Sequence, residues 1–135
     1  MSGSNQTIRR LGPGDEDVVR ALAEDEPQTA LLADERTTFV AAFDGETPIG
    51  FAFGYVLPRR HGRPKIFFVY EIEVREPYRR RGIGKELMRR LADEAGVVEG
   101  FVLTEPDNDA ANALYRSLDG TPSDVVQWDF DYGAG

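Results

Sequence analysis

Phe67-Phe68-Val69-Tyr70-Glu71-Ile72-Glu73-Val74, followed by Arg75-Glu76-Pro77-Tyr78-Arg79-Arg80-Arg81-Gly82-Ile83-Gly84, decides how this chain folds. An apolar, β-branched run stops, and a crowd of cations with two glycines leads into Ile83, Leu87, Met88, Leu91 and Ala95 at helical spacing. The first pattern reads as a strand and the last as an amphipathic helix. Glycines let a backbone come close to a ligand, and a helix start presents unpaired N–H groups. With the helix dipole and three arginines, the junction predicts an anion cradle suited to a pyrophosphate. The apolar run of the strand predicts burial on both its faces.

Outward from this unit, 7–11 reads as a short opening strand ended by Gly12-Pro13-Gly14. Residues 15–24 place Val18, Val19, Leu22 and Ala23 on one helical face, and 27–35 reads as a second short helix. Strands at 38–43 and 48–57 meet across Asp44-Gly45, a hairpin signal, and 58–64 is a loop. The long strand covers 65–74; after the central helix come a strand at 101–104 and a helix at 109–118. Residues 125–131 alternate, with Val126, Trp128 and Phe130 on one face, and read as a final strand. No repeat or linker divides the sequence. The expectation is one α/β domain over 1–135 with 1–6 frayed, a mixed, mostly antiparallel sheet flanked by about four helices.

Charge is unevenly placed. The net charge is −8, yet seven of the 16 basic residues lie in 75–90 beside only two acids, leaving 9 basic and 22 acidic residues elsewhere. An acidic body argues against general nucleic-acid binding. One basic site on it suits an anionic cofactor and a cationic second substrate. The absence of cysteine excludes disulfides, thiolate nucleophiles and cysteine metal sites. Nothing reads as a signal peptide or membrane span, so the expected location is cytoplasmic.

Two nucleotide-binding patterns fail at the turn. A P-loop needs a glycine where Arg79 stands and a Ser or Thr where Glu86 stands, and a dinucleotide fingerprint needs its third glycine at Leu87. What fits is Arg79-x-x-Gly82-x-Gly84 just after the long strand. With Ile8-Arg9-x-Leu11-x-Pro13-x-Asp15 and Asn108-x-x-Ala111-x-x-x-Tyr115, it resembles the GNAT family of N-acetyltransferases over nearly the whole chain.

That resemblance implies acetyl-coenzyme A as co-substrate, bound in a groove where the strands at 65–74 and 101–104 splay. It implies that the backbone of Ile72 and Val74 pairs with the pantetheine arm. Backbone N–H groups across Arg81, Gly82, Ile83, Gly84 and Lys85, with Arg79 and Arg80 beside them, would hold the pyrophosphate. Asn108 would bond the pantetheine, and Tyr115 would protonate the departing thiolate. The alternative for Tyr115 is packing, since Leu114 and Leu118 share its helix.

An amine nucleophile must lose a proton before it attacks. Glu71 and Glu73 share one face of the strand, opposite Ile72 and Val74, and a carboxylate in so apolar a run is costly without a partner or a function. Glu71 is taken as the general base, directly or through water, with Glu73 in reserve; a structural ion pair is the alternative for either. The Val74 N–H would steady the oxyanion.

Val69 to Val74, Tyr78 to Gly84, and Leu103-Thr104-Glu105-Pro106-Asp107-Asn108 with Ala113-Leu114-Tyr115 are similar to the aminoglycoside 3-N-acetyltransferase branch of that family. This implies a polycationic acceptor bound by Glu71, Glu105 and Asp107, with Asp129 and Asp131 as a possible extension. Solvated loop positions are the alternative for these acids. The chain is compact for the branch, and a shorter rim at 119–124 would widen or shift the acceptor pocket. Other acceptors (a peptide N-terminus, a lysine or a polyamine) and a non-catalytic acyl-coenzyme A module remain as rival readings. His61 sits in an arginine-rich loop and reads as surface, and Asp107-Asn108-Asp109 lacks a calcium-loop pattern, so no metal is expected. The apolar face at 126–130 reads as core or as a strand that pairs across a homodimer.

Overall fold

The computed structural model describes residues 6–23, 27–61 and 64–133. Five strands form one sheet in chain order: β1 (Gln6–Leu11), β2 (Thr37–Asp44), β3 (Thr47–Leu57), β4 (Ile66–Val74) and β5 (Gly100–Val102). The first four pair antiparallel, and β5 runs parallel to β4. Three α-helices accompany them: α1 (Glu16–Leu22), α2 (Ile83–Ala95) and α3 (Asp109–Ser117). The second short helix expected near 27–35 is a 3₁₀ helix, Thr29–Ala33. Of the expected frayed start, Gln6 instead opens β1, and 1–5 lie outside the described residues.

The core has two layers because β2 alternates between them. Phe39, Ala41 and Phe43 join Phe51, Phe53, Leu22 and Leu32 on the α1 side. Val40 and Ala42 join Ile49, Phe67, Leu87 and Leu91 on the α2 side. Helix α2 ends where Gly96 adopts φ 67 and its N–H bonds back to Ala92 and Asp93. At the far edge, Arg59 grips both oxygens of Glu99 (3.1 and 2.9 Å) and ties the β3–β4 loop to the start of β5.

A register shift in β4 shapes everything downstream. Phe53 pairs with Glu71 and Gly54 with Val69, so Tyr70 is an extra residue on β4. The bulge changes the parity of the strand: Phe67 and Val69 before it, and Ile72 and Val74 after it, all pack on the α2 side. A Cβ on Gly54 would meet the Phe68 carbonyl oxygen at 2.1 Å, so only glycine fits opposite the bulge. Burial on both faces of this strand does not hold. Tyr70 is 60% exposed and Glu71 is exposed, because α1 and the 3₁₀ helix cover the neighbouring strands and leave this stretch open.

The expected strand at 125–131 does not form. No described residue of 121–133 belongs to a helix or strand, and Val126, Trp128 and Phe130 are 78%, 77% and 70% exposed. The alternation is real, but no neighbouring strand completes it.

Candidate active site

Between β4 and α2 the chain makes a tight turn with left-handed residues on both sides of Arg81. Arg80 has φ 64 and Gly82 has φ 80. Gly82 is the N-cap of α2; with no side chain to cap it, and with the first intrahelical bond running from Glu86 N to Gly82 O (3.1 Å), the N–H groups of Ile83, Gly84 and Lys85 lack intrahelical partners. Left-handed residues between right-handed ones gather N–H groups into an anion-binding concavity. A Cβ on Gly82 would meet nothing within 4 Å, so the space over the turn is open, whereas a Cβ on Gly84 would meet the Leu114 side chain of α3 at 3.6 Å.

The turn is braced from behind. Arg79 Nε donates to the Val74 carbonyl oxygen (2.7 Å). Tyr78 donates its hydroxyl proton to Asp44 in the β2–β3 hairpin (3.0 Å), and the Arg81 guanidinium lies 5.5 Å over the Tyr78 ring. The bond to Asp44 is the main reason the Tyr78 phenol is held above its ordinary pKa, with desolvation adding to it. Sequence reading used Asp44 as a hairpin signal and Tyr78 within the turn motif but did not join them; their contact spans 34 residues, and no local pattern reports it.

The groove begins where β5 leaves β4. The two strands pair only from Phe67–Gly100 to Val69–Val102. Arg75 donates its backbone N–H to Ile49 in β3 (2.8 Å), so by strand alternation the backbone polar groups of Ile72 and Val74 point the other way, into the gap. The Val74 carbonyl is taken by Arg79. The Val74 N–H and both groups of Ile72 therefore face the groove as a free strand edge.

The expected acids separate into two places. Glu71 and Glu73 line one cleft of about 290 Å³ with Phe39, Phe51 and Phe53 on the α1 side of the sheet. Glu105, Asp107, Asp129 and Asp131 are exposed and do not line it. Tyr115 lines a second cavity, also about 290 Å³, on the α2 side with Phe67, Met88, Val102 and Leu118. Desolvation there raises the pKa of the half-buried Tyr115 phenol above its ordinary value, so it keeps its proton at neutral pH.

Asn108 caps α3, its Oδ1 accepting from Ala111 N (3.1 Å), which leaves Nδ2 as the end of the amide that can reach a ligand. Asn112, absent from the sequence-level candidates, directs its amide at three carbonyl oxygens, those of Glu105 (3.2 Å), Pro106 (3.3 Å) and Asn108 (3.0 Å), and so fastens the loop that presents Asn108. Among the described residues no group of three His, Cys, Asp or Glu could hold a metal ion, and no helix is long and apolar enough to cross a membrane.

A strand edge left bare beside an uncapped helix start offers backbone donors to an anionic group at one end and to an amide-bearing arm along the other. The sequence model of the Acetyltransferase (GNAT) family matches residues 8–119, and the chain belongs to that family. It is 42% identical over 89 residues to the N-alpha-acetyltransferase RimI of Mycobacterium tuberculosis (64% of this chain, 54% of that protein). It is 34% identical over 85 residues to the L-2,4-diaminobutyric acid acetyltransferase of Nocardia farcinica (61% and 42%). The chain thus spans about half the length of the curated relatives it matches. Its fold is similar to that of an aminoglycoside acetyltransferase, meta-AAC0020, from an uncultured soil metagenomic sample. The structures of that protein with trehalose and with sisomicin give TM-scores of 0.85 and 0.83 at 22% identity, covering 98% and 96% of this chain and 100% and 97% of that one.

Proposed function

We propose that this chain is an acetyl-coenzyme A-dependent N-acetyltransferase acting on a primary amine of a polycationic small molecule, an aminoglycoside at its 3-amino group in the first instance. The observation that carries the reaction is the open N-terminus of α2, with Arg80 and Gly82 left-handed, beside the bare edge of Ile72 and Val74. That pairing fits a ligand with a diphosphate at one end and an amide-bearing arm at the other.

Acetyl-coenzyme A, when bound, supplies an activated acetyl thioester. The chain's own residues do the rest. N–H groups from Arg81 to Lys85, with Arg79 and Arg80, hold the diphosphate; Ile72, Val74 and the Asn108 amide orient the arm. Glu71, on the cleft side, takes the proton from the acceptor amine, with Glu73 adding negative charge beside it. The Val74 N–H donates to the acetyl oxygen as charge develops there. Tyr115, protonated, gives its proton to the leaving sulfur. The products are the acetylated amine and free coenzyme A.

The acid-lined, phenylalanine-walled cleft supports a cationic acceptor. So does the likeness in fold to an acetyltransferase crystallised with sisomicin. The similarity to RimI favours a second reading, a peptide N-terminus as acceptor. Coenzyme A release, measured against gentamicin-type and kanamycin-type aminoglycosides, polyamines, diaminobutyrate and a short peptide, tests both. Turnover highest with the aminoglycosides is expected; turnover confined to the peptide transfers the assignment to the second reading. Saturable cofactor binding without turnover on any amine identifies a non-catalytic module.

A further inference from the structure

The bulge in β4 puts two consecutive residues, Tyr70 and Glu71, on one face of the sheet. Phe68 and Tyr70 before it, and Glu71 and Glu73 after it, lie on the α1 side, opposite Phe67, Val69, Ile72 and Val74. Phe53 pairs with Glu71 across the strands, and its ring lies 5.5 Å from that of Tyr70. From Tyr70 the rings continue outward. Tyr55 stands at 5.8 Å and Phe68 at 5.7 Å, and Phe68 stacks on Phe101 of β5 at 4.8 Å. An aromatic row thus leaves the Glu71–Glu73 cleft and crosses onto β5. Tyr70 meets the rings of three residues and is still 60% exposed, and Phe101 is 40% exposed.

Core packing accounts for only one end of this row. Phe39, Phe51 and Phe53 are buried with Val19 and Leu22 of α1 and Leu32 of the 3₁₀ helix, whereas Tyr70 and Phe101 offer their rings to water. Contiguous exposed apolar groups rimmed by charge mark a binding surface. Size points the same way. The cleft holds about 290 Å³, and sites for drug-sized ligands run to about 300–1,000 Å³, so an amine of several rings extends beyond it. Phe53 belongs to both cleft and row, which makes the row the surface such an amine meets next. Charge agrees: the row starts at two carboxylates, and aromatic faces attract ammonium groups.

We infer that the Tyr70 ring, backed by Phe68 and Phe101, is a specificity-determining subsite for a second, ammonium-bearing ring of the acceptor. The inference rests on the reading above, in which a polycation is held at Glu71. The acetylated ring sits in the cleft, and the next ring lies against Tyr70 with its C–H face and ammonium groups on the aromatic surface. Linear amines fill the cleft alone and gain nothing from the row. Selectivity among amines then comes from a residue that takes no part in proton transfer.

Acetylation of kanamycin and of 2-deoxystreptamine, its central ring alone, compares two acceptors with the same 3-amino group. The parent should favour kanamycin in kcat/KM. Tyr70→Ala should cut that preference about 3- to 30-fold, through a higher KM for kanamycin, and Tyr70→Phe should keep it. Phe101→Ala, on a separate strand, should cut it about threefold and carries the test if Tyr70→Ala does not fold by circular dichroism. A parent with no preference, a preference unmoved by these alanine substitutions, or an equal loss on both acceptors overturns the inference and leaves the aminoglycoside reading standing. A parent that acetylates neither amine overturns that reading, and the inference falls with it.

Discussion

β2 and residues 121–133 carry the same alternation and end in opposite states. Thr37 to Phe43 are all buried, between β1 and β3 and under helices on both faces; every described residue from 121 to 133 is exposed. Local sequence fixes which side chains share a face, and only topology supplies what covers that face. The contrast extends to the two flanks of the sheet. β2 and β3, with Leu87 and Leu91 of α2 against them, make a packed body; the end of β4 from the bulge at Tyr70, the turn after it and β5 are edges and clefts. Stability should reside in the first flank and ligand chemistry in the second.

Substitutions can break that division. The largest effect should come from Glu71→Gln, lowering turnover about 10²- to 10⁴-fold while acetyl-coenzyme A affinity and the urea midpoint stay near those of the parent. Unchanged turnover removes Glu71 from the role of base. On the packed side, Leu87→Ala, at a fully buried position, should cost about 2–5 kcal/mol in urea unfolding. Leu103→Ala, just past β5 and 48% exposed, should stay within about 0.5 kcal/mol. Equal losses at the two positions would erase the contrast.

Tyr115→Phe should slow turnover about a hundredfold. Its pH profile gives the sharper reading. Because burial raises the phenol pKa, the donor proton stays in place through neutral pH. It is lost only as pH rises past the phenol's ordinary value of about 10, so the parent rate should fall on that alkaline limb and the variant's should not. Identical profiles would leave Tyr115 as packing.

Smaller effects mark the joins between the flanks. Gly54→Ala puts a Cβ 2.1 Å from the Phe68 carbonyl oxygen and should cost about 1–3 kcal/mol, with β4 forced to shift. Tyr78→Phe removes the bond to Asp44 and should weaken acetyl-coenzyme A binding by about 1 kcal/mol, near fivefold, with little change in turnover at saturation. A Tyr78→Phe protein that binds as the parent does would show that the turn holds itself without the hairpin.

The same contrast explains what could be read in advance. The strand–turn–helix unit at 66–95 was legible because three unlike local patterns succeed one another: an apolar run, a basic glycine turn, a stripe at helical spacing. The face shared by Glu71 and Glu73 was legible from period two. The bulge was not, since it depends on Gly54 accepting the Phe68 backbone from another strand, and it alone explains why Phe67 and Ile72 point the same way. The brace from Asp44 to Tyr78 and the clamp of Asn112 on the 105–108 loop join chain segments by geometry that sequence spacing does not encode. For 125–131 the alternation exists in the sequence, but the expected strand does not form, because among the described residues no strand pairs with it.

The most direct test of the account is calorimetric titration of acetyl-coenzyme A into the full chain at low and high salt. Saturable heat is predicted, with affinity that falls as salt screens the basic turn and falls again on replacing Arg80 and Arg81 with alanine. No heat, or binding indifferent both to salt and to those two arginines, would contradict it.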